Sequence, residues 1–194
     1  MGTLVDPPAN DAQHDVEQFT NPVVIRGLAP QDGVAYRALR LRALRDHPDA
    51  FTSSFEEESA RPLAWSVQRL ASQPQKPCDF FLGAFQQSLM VGMVGLQGRY
   101  RPKERHNATV VGLYVVPELA GQGVGGNLMQ RLIERASTLD ALEQLQLTVT
   151  EGNRTACALY ARCGFVEIGI LPRAIKVQQQ YFAKVHMVLR LHAQ

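Results

Sequence analysis

Four glycines fall within six residues at Gly121-Gln122-Gly123-Val124-Gly125-Gly126. Before them, Val110 to Val116 reads as a strand closed by Pro117. After them, Leu128, Met129, Leu132, Ile133 and Ala136 mark the apolar side of a helix over 123–137. A strand, a tight glycine turn and a helix start together make an anion site. The helix end offers unpaired N–H groups and partial positive charge, and glycine lets a phosphate reach the backbone. The competing reading is a loop that merely turns tightly.

Three phosphate ligands compete for such a turn. Gly121, Gly123 and Gly126 satisfy G-x-G-x-x-G, and Glu151 at the end of the next strand suits a ribose acid, which would suggest a nicotinamide reductase. Against this, Pro117 to Ala120 separate strand from glycine, and the remaining chain is too short for the further strands a dinucleotide fold needs. A mononucleotide P-loop is excluded because no Lys-Ser or Lys-Thr follows the glycines.

The elements that must position this turn follow from periodicity. Met1 to Asn21 reads as a loose leader without apolar rhythm, and one domain is expected over 22–194. Val23 to Ile25 is a short strand, and Gln31 to Arg45 a helix with Val34, Ala38, Leu41 and Leu44 inward, stopped by His47-Pro48. A second helix starts near Pro62 and carries Leu63, Val67 and Leu70 on one side. Asp79 to Phe85 and Leu89 to Leu96 form a hairpin, and Ala108 to Val116 a third strand. Beyond the glycine helix come a strand at Leu145, Leu147 and Val149, a helix over 153–162, and strands over 165–171 and 185–191. This order describes an α/β domain with a mixed sheet.

Composition narrows the classes further. A net charge of +2 gives no ground for nucleic-acid binding, and no apolar run is long enough for a membrane span. Cys78, Cys157 and Cys163 form neither a CxxC pair nor an even disulfide set, so no metal site is expected and the cytoplasm is the expected location.

The segments LYVVPELAGQGVGGNLM and NRTACALYARCGF, in that order, resemble the GNAT superfamily of acyl-CoA-dependent N-acyltransferases. The likeness covers Val23 to Leu191 and extends to RALRLRALRDHPDAFTSSFEEE and PRAIKVQQQYFAKVHMVLRL, shared with a bacterial branch. It implies a mixed, mostly antiparallel twisted sheet of about seven strands flanked by helices. It also implies acetyl-CoA as cosubstrate, an amine acceptor, and an acetyl transfer by direct attack in a ternary complex. Homodimers are common among similar proteins.

The resemblance assigns Gly121, Gln122, Gly123, Val124, Gly125 and Gly126 to the cofactor pyrophosphate. It assigns the backbone of Leu113, Tyr114 and Val115 to the pantetheine arm and thioester. Asn153 falls where the family commonly contacts the cofactor, and it also suits a helix N-cap. Tyr160 falls where the family places the acid that protonates the leaving thiolate. Ala120 departs from the usual Arg or Gln at the loop entrance. The strand position where many relatives carry a Glu base lies in Thr109-Val110-Val111-Gly112, which holds no acid. His106, Glu57, Glu58, Glu151 and His186 are other conceivable bases, and none is assigned. The empty position leaves a second reading open, a CoA-binding sensor without chemistry. The arginines of the first helix suit either a solvated face or an acidic acceptor, and Trp65 either the core or the acceptor border.

Overall fold

The computed structural model describes residues 22–191, so the leader expected over 1–21 lies outside the described residues. Its elements run β1 (Val23–Gly27), α1 (Gly33–Asp46), α2 (Phe55–Ser59), α3 (Leu63–Arg69), β2 (Phe80–Gln86), β3 (Leu89–Gly98) and β4 (Asn107–Val115). Then follow α4 (Val124–Ser137), β5 (Gln144–Thr150), α5 (Arg154–Arg162), β6 (Val166–Val177) and β7 (Gln180–Arg190). The seven strands form one sheet in the order β1-β2-β3-β4-β5-β7-β6, antiparallel throughout except where β4 runs beside β5. This is the mixed, mostly antiparallel architecture expected above.

The middle of the sheet is dry on both faces. Every residue of β2 is buried, and so is β3 from Met90 to Leu96, with α1 and α4 both packing on β3. The spacing in α4 places Leu128, Met129, Leu132 and Ala136 in the core, each fully buried. At the far edge, β6 leaves Val166, Ile168 and Ile170 exposed.

Three local expectations are corrected. The inward face of α1 is Tyr36, Leu39, Arg40, Ala43 and Leu44, whereas Val34 is 66% exposed. The apolar pattern misplaces it because this helix borders a polar cleft, into which a phenol and a guanidinium turn. A short helix, α2, stands where no element was expected. Ser54 caps it by accepting from Glu57 N at 3.1 Å, a local bond that five residues of weak periodicity do not advertise. The last hairpin is longer than its apolar residues suggest, because β6 and β7 pair from Val166 to Gln180 across exposed positions.

Lys184 fastens one connection to this frame. Its ammonium donates to Asp49 O at 3.1 Å, Ala50 O at 2.9 Å and Thr150 Oγ1 at 2.8 Å, pinning the α1–α2 linker onto β5 and β7. Burial pulls the Lys184 pKa below its ordinary value.

Candidate active site

The glycine turn, α5 and the helices α1 to α3 meet at one cleft of about 1250 Å³. It exists because β4 and β5 part company. Their register pairs only Asn107 with Gln144, Ala108 with Leu145 and Thr109 with Gln146. Residues Thr109 to Val115 on one side and Leu147 to Thr150 on the other then line the opening.

A bulge in β4 starts the divergence. Gly95 of β3 faces Val111 and Met93 faces Tyr114, so Gly112 and Leu113 together oppose Val94 alone. The extra residue requires Gly112 at φ 67°, left-handed backbone that a side chain would strain. With no ladder partner on β5 beyond Thr109, main-chain polar groups along that edge of β4 face the cleft. The alternating side chains behave differently. Tyr114 is buried and donates to Asp46 Oδ2 at 2.8 Å, while Leu113 and Val115 are half-buried. The main chain of Leu113 to Val115 thus borders the cleft along the whole segment, with the Leu113 and Val115 side chains partly exposed beside it.

The turn itself is shaped for an anion. Gly121 and Gly123 lie at φ 77° and 79°, and Gly123 is the N-cap of α4. The first intrahelical bond runs from Asn127 N to Gly123 O at 3.0 Å, so the N–H groups of the preceding turn stay available. A Cβ built on Gly121, Gly123 or Gly126 would meet nothing within 4 Å, so that side is open cradle. Gly125 has another reason: its Cβ would come 3.1 Å from Leu159 Cδ1, where α4 and α5 touch. Gln122 is exposed and donates its N–H to Leu119 O at 3.3 Å. An acyl-CoA cosubstrate fits these features: an open anion cradle at the helix end and a slot between strands for an extended arm.

Tyr160 lines the cleft from the last turn of α5 and is buried, with its ring edge-on to Phe165 at 6.1 Å. Desolvation raises its pKa well above the usual phenol value, and the Cys157 and Cys163 thiols add to this, so the hydroxyl keeps its proton. Asn153 also lines the cleft, yet its carbonyl oxygen is engaged in the N-cap, accepting from Ala156 N at 3.1 Å. The five conceivable bases do not gather. Glu58 lines the cleft, while His106, Glu57, Glu151 and His186 are not among its lining residues. Glu58 is 5% exposed and paired with Arg40 at 3.2 Å.

The opposite half of the cleft was barely visible in the sequence. Tyr36, Arg40, His47, Phe51, Arg69 and Phe81 line it from three elements and a linker. Their only sequence signal is polar and aromatic residues interrupting the apolar stripe of α1. Trp65 is not among the lining residues; it stacks beneath Arg61 and Arg69, at 4.3 and 5.0 Å from their guanidinium carbons.

An anion cradle at a helix start, a strand pair splayed beside it and a protonated tyrosine between them define a group-transfer site for a phosphorylated, extended cosubstrate. The chain belongs to the Acetyltransferase (GNAT) family, whose profile matches residues 41–165. It is 34% identical over 73 residues to phosphinothricin N-acetyltransferase of Alcaligenes faecalis, a match spanning 37% of each chain. A GNAT-family acetyltransferase of Streptococcus pneumoniae shares the fold with a TM-score of 0.71 at 23% identity, covering 87% of this chain and 99% of that one. A Salmonella typhimurium protein whose structure holds its cofactor acetyl-CoA superposes with a TM-score of 0.73 at 20% identity, covering 90% and 96%. Among the described residues, no three His, Cys, Asp or Glu side chains gather as a metal site, and no helix is long and apolar enough to cross a membrane.

Proposed function

We propose that the protein transfers an acetyl group from acetyl-CoA to a primary amine by direct attack in a ternary complex. The observation that carries this reading is the opening between β4 and β5, with the glycine cradle at one end and Tyr160 facing it. Acetyl-CoA supplies an activated thioester carbonyl. The N–H groups of Gly123 to Gly126 hold its pyrophosphate, and the free edge of β4 from Leu113 to Val115 holds the arm and thioester, a backbone N–H near Val115 polarising the carbonyl oxygen. The amine nitrogen bonds to the carbonyl carbon as the carbon–sulfur bond breaks. Tyr160 gives its proton to the departing sulfur, and the proton shed by nitrogen leaves to water in the open cleft.

No base is assigned, because the one carboxylate lining the cleft, Glu58, is neutralised by Arg40. The amine enters already deprotonated, which a cationic cleft favours. The three free thiols suit a cytoplasmic location.

A thiol-release assay with acetyl-CoA across amino acids, polyamines, aminoglycosides and peptides tests this reading, beside a thermal shift with CoA. Release dependent on an amine supports it. Absence of any CoA-induced shift sinks it, and acetyl-CoA binding without transfer to any amine favours the sensor reading.

A further inference from the structure

The half of the cleft away from the glycine turn carries more positive charge than the transfer itself requires. Arg40, Arg61 and Arg69 line it, with Glu58 as its one lining carboxylate. Arg40 is matched by Glu58 at 3.2 Å, and Arg61 by Glu57, just outside the cleft, at 2.5 Å. Arg69 has no carboxylate partner among the described residues, and its buried Nε–H has no hydrogen-bond partner. Its guanidinium carbon lies 5.0 Å from the Trp65 ring centre and 5.1 Å from that of Phe81. Cation–π contact compensates part of the desolvation and fixes where the guanidinium sits, and the Tyr36 phenol oxygen takes one of its donors, but the Nε–H is left without an acceptor. Tyr36, 2% exposed, brings a phenol into the same corner. A buried donor without an acceptor costs free energy in the empty protein and is satisfied when an oxyanion arrives.

We propose that Arg69 is the anion-recognition residue of the acceptor site, and that the acceptor is an amine bearing a carboxylate or another small oxyanion, as an amino acid does. Polycationic acceptors such as polyamines and aminoglycosides are disfavoured by the unbalanced charge. The proposal rests on the acetyl-transfer reading for its chemistry, but its binding element is measured separately.

Calorimetry on the full chain saturated with CoA measures binding of α-amino acids, each beside its own carboxamide, with spermidine and kanamycin as cationic probes. Thiol release with acetyl-CoA follows the same panel. The carboxamide has the less basic amine, so preference for the acid must come from the site. At least one acid is expected to bind about 10- to 100-fold more tightly than its carboxamide, the range of a charge-assisted bond to a buried guanidinium. Arg69→Gln removes that preference and raises KM more than it lowers kcat, whereas Arg69→Lys keeps part of it. Arg131→Gln, the same charge change on the exposed face of α4, preserves the preference. CoA-induced thermal shifts show that each variant is folded. Equal binding of acid and carboxamide, tighter binding of the polycations, binding of no acid at all, or a preference that survives Arg69→Gln overturns the proposal. Failure to bind CoA instead overturns the acetyl-transfer reading, and turnover confined to uncharged or cationic amines overturns the anion site while leaving that reading intact.

Discussion

Tyr160 carries the proposed role of general acid, and it is buried at the cleft. A phenol holds its proton at neutral pH, and desolvation of Tyr160 raises its pKa further, so the group is protonated in the role proposed for it. Tyr160→Phe is expected to lower kcat by roughly 100-fold, the low end for a positioned general acid. Its acetyl-CoA affinity should stay within a few-fold of wild type, because the cradle does not include the hydroxyl. Single-turnover rates and a thermal shift with acetyl-CoA read the two quantities, and an unchanged rate removes Tyr160 from the chemistry. The wild-type rate should rise with pH as the acceptor amine deprotonates, without an alkaline decline up to pH 10. A decline below that value would show that another group is the acid.

At the scale of elements, the glycine turn and the α1–α2 pair each depend on one local solution. Gly123 caps α4 at φ 79° with open space where a Cβ would stand. Gly123→Ala therefore meets no clash and acts through the backbone, costing about 1–2 kcal/mol for a left-handed residue. Weaker acetyl-CoA binding, seen as a higher KM with a well-formed core by circular dichroism, is the expected result. The Arg40–Glu58 pair joins α1 to α2 with both side chains nearly closed to solvent. Arg40→Leu strands a buried carboxylate and should cost about 3–5 kcal/mol, while Arg40→Leu with Glu58→Leu recovers much of it. Urea denaturation of the three proteins measures this, and a double variant no better than the single would show that packing, not charge, dominates.

For the whole molecule, the buried phenols set an alkaline limit. Tyr36, Tyr114 and Tyr160 each have a pKa raised mainly by desolvation. In the unfolded chain they ionise near the usual value of about 10. Below that pH both states hold the protons and nothing is lost. Above it the unfolded state binds fewer protons than the folded one, so stability falls as pH rises. The melting temperature should drop between pH 9 and pH 11, and less so in Tyr160→Phe; an identical drop in the variant would exclude Tyr160 as a contributor.

The glycine turn, the amphipathic face of α4 and the strand at Val110 to Val116 were legible because each rests on local geometry. A left-handed turn needs glycine, and burial imposes a period on neighbouring residues. The helix over 153–162 was legible for the same reason, since Asn153 caps it, whereas Tyr160 within it stood out only by resemblance to the family. The opposite half of the cleft was not. Tyr36, Phe51, Arg69 and Phe81 come from separate elements and share no spacing, and α1 hides its true inward face behind a misleading apolar stripe. The parting of β4 from β5 after three residue pairs is likewise a matter of packing, since the sequence of β4 records only the glycine that permits its bulge. By itself the sequence determined the left-handed glycine turn and the helix that it caps. Tertiary structure alone decided what faces the cradle across the cleft, because charges far apart in the chain become neighbours only when the sheet opens and α1 to α3 close over it.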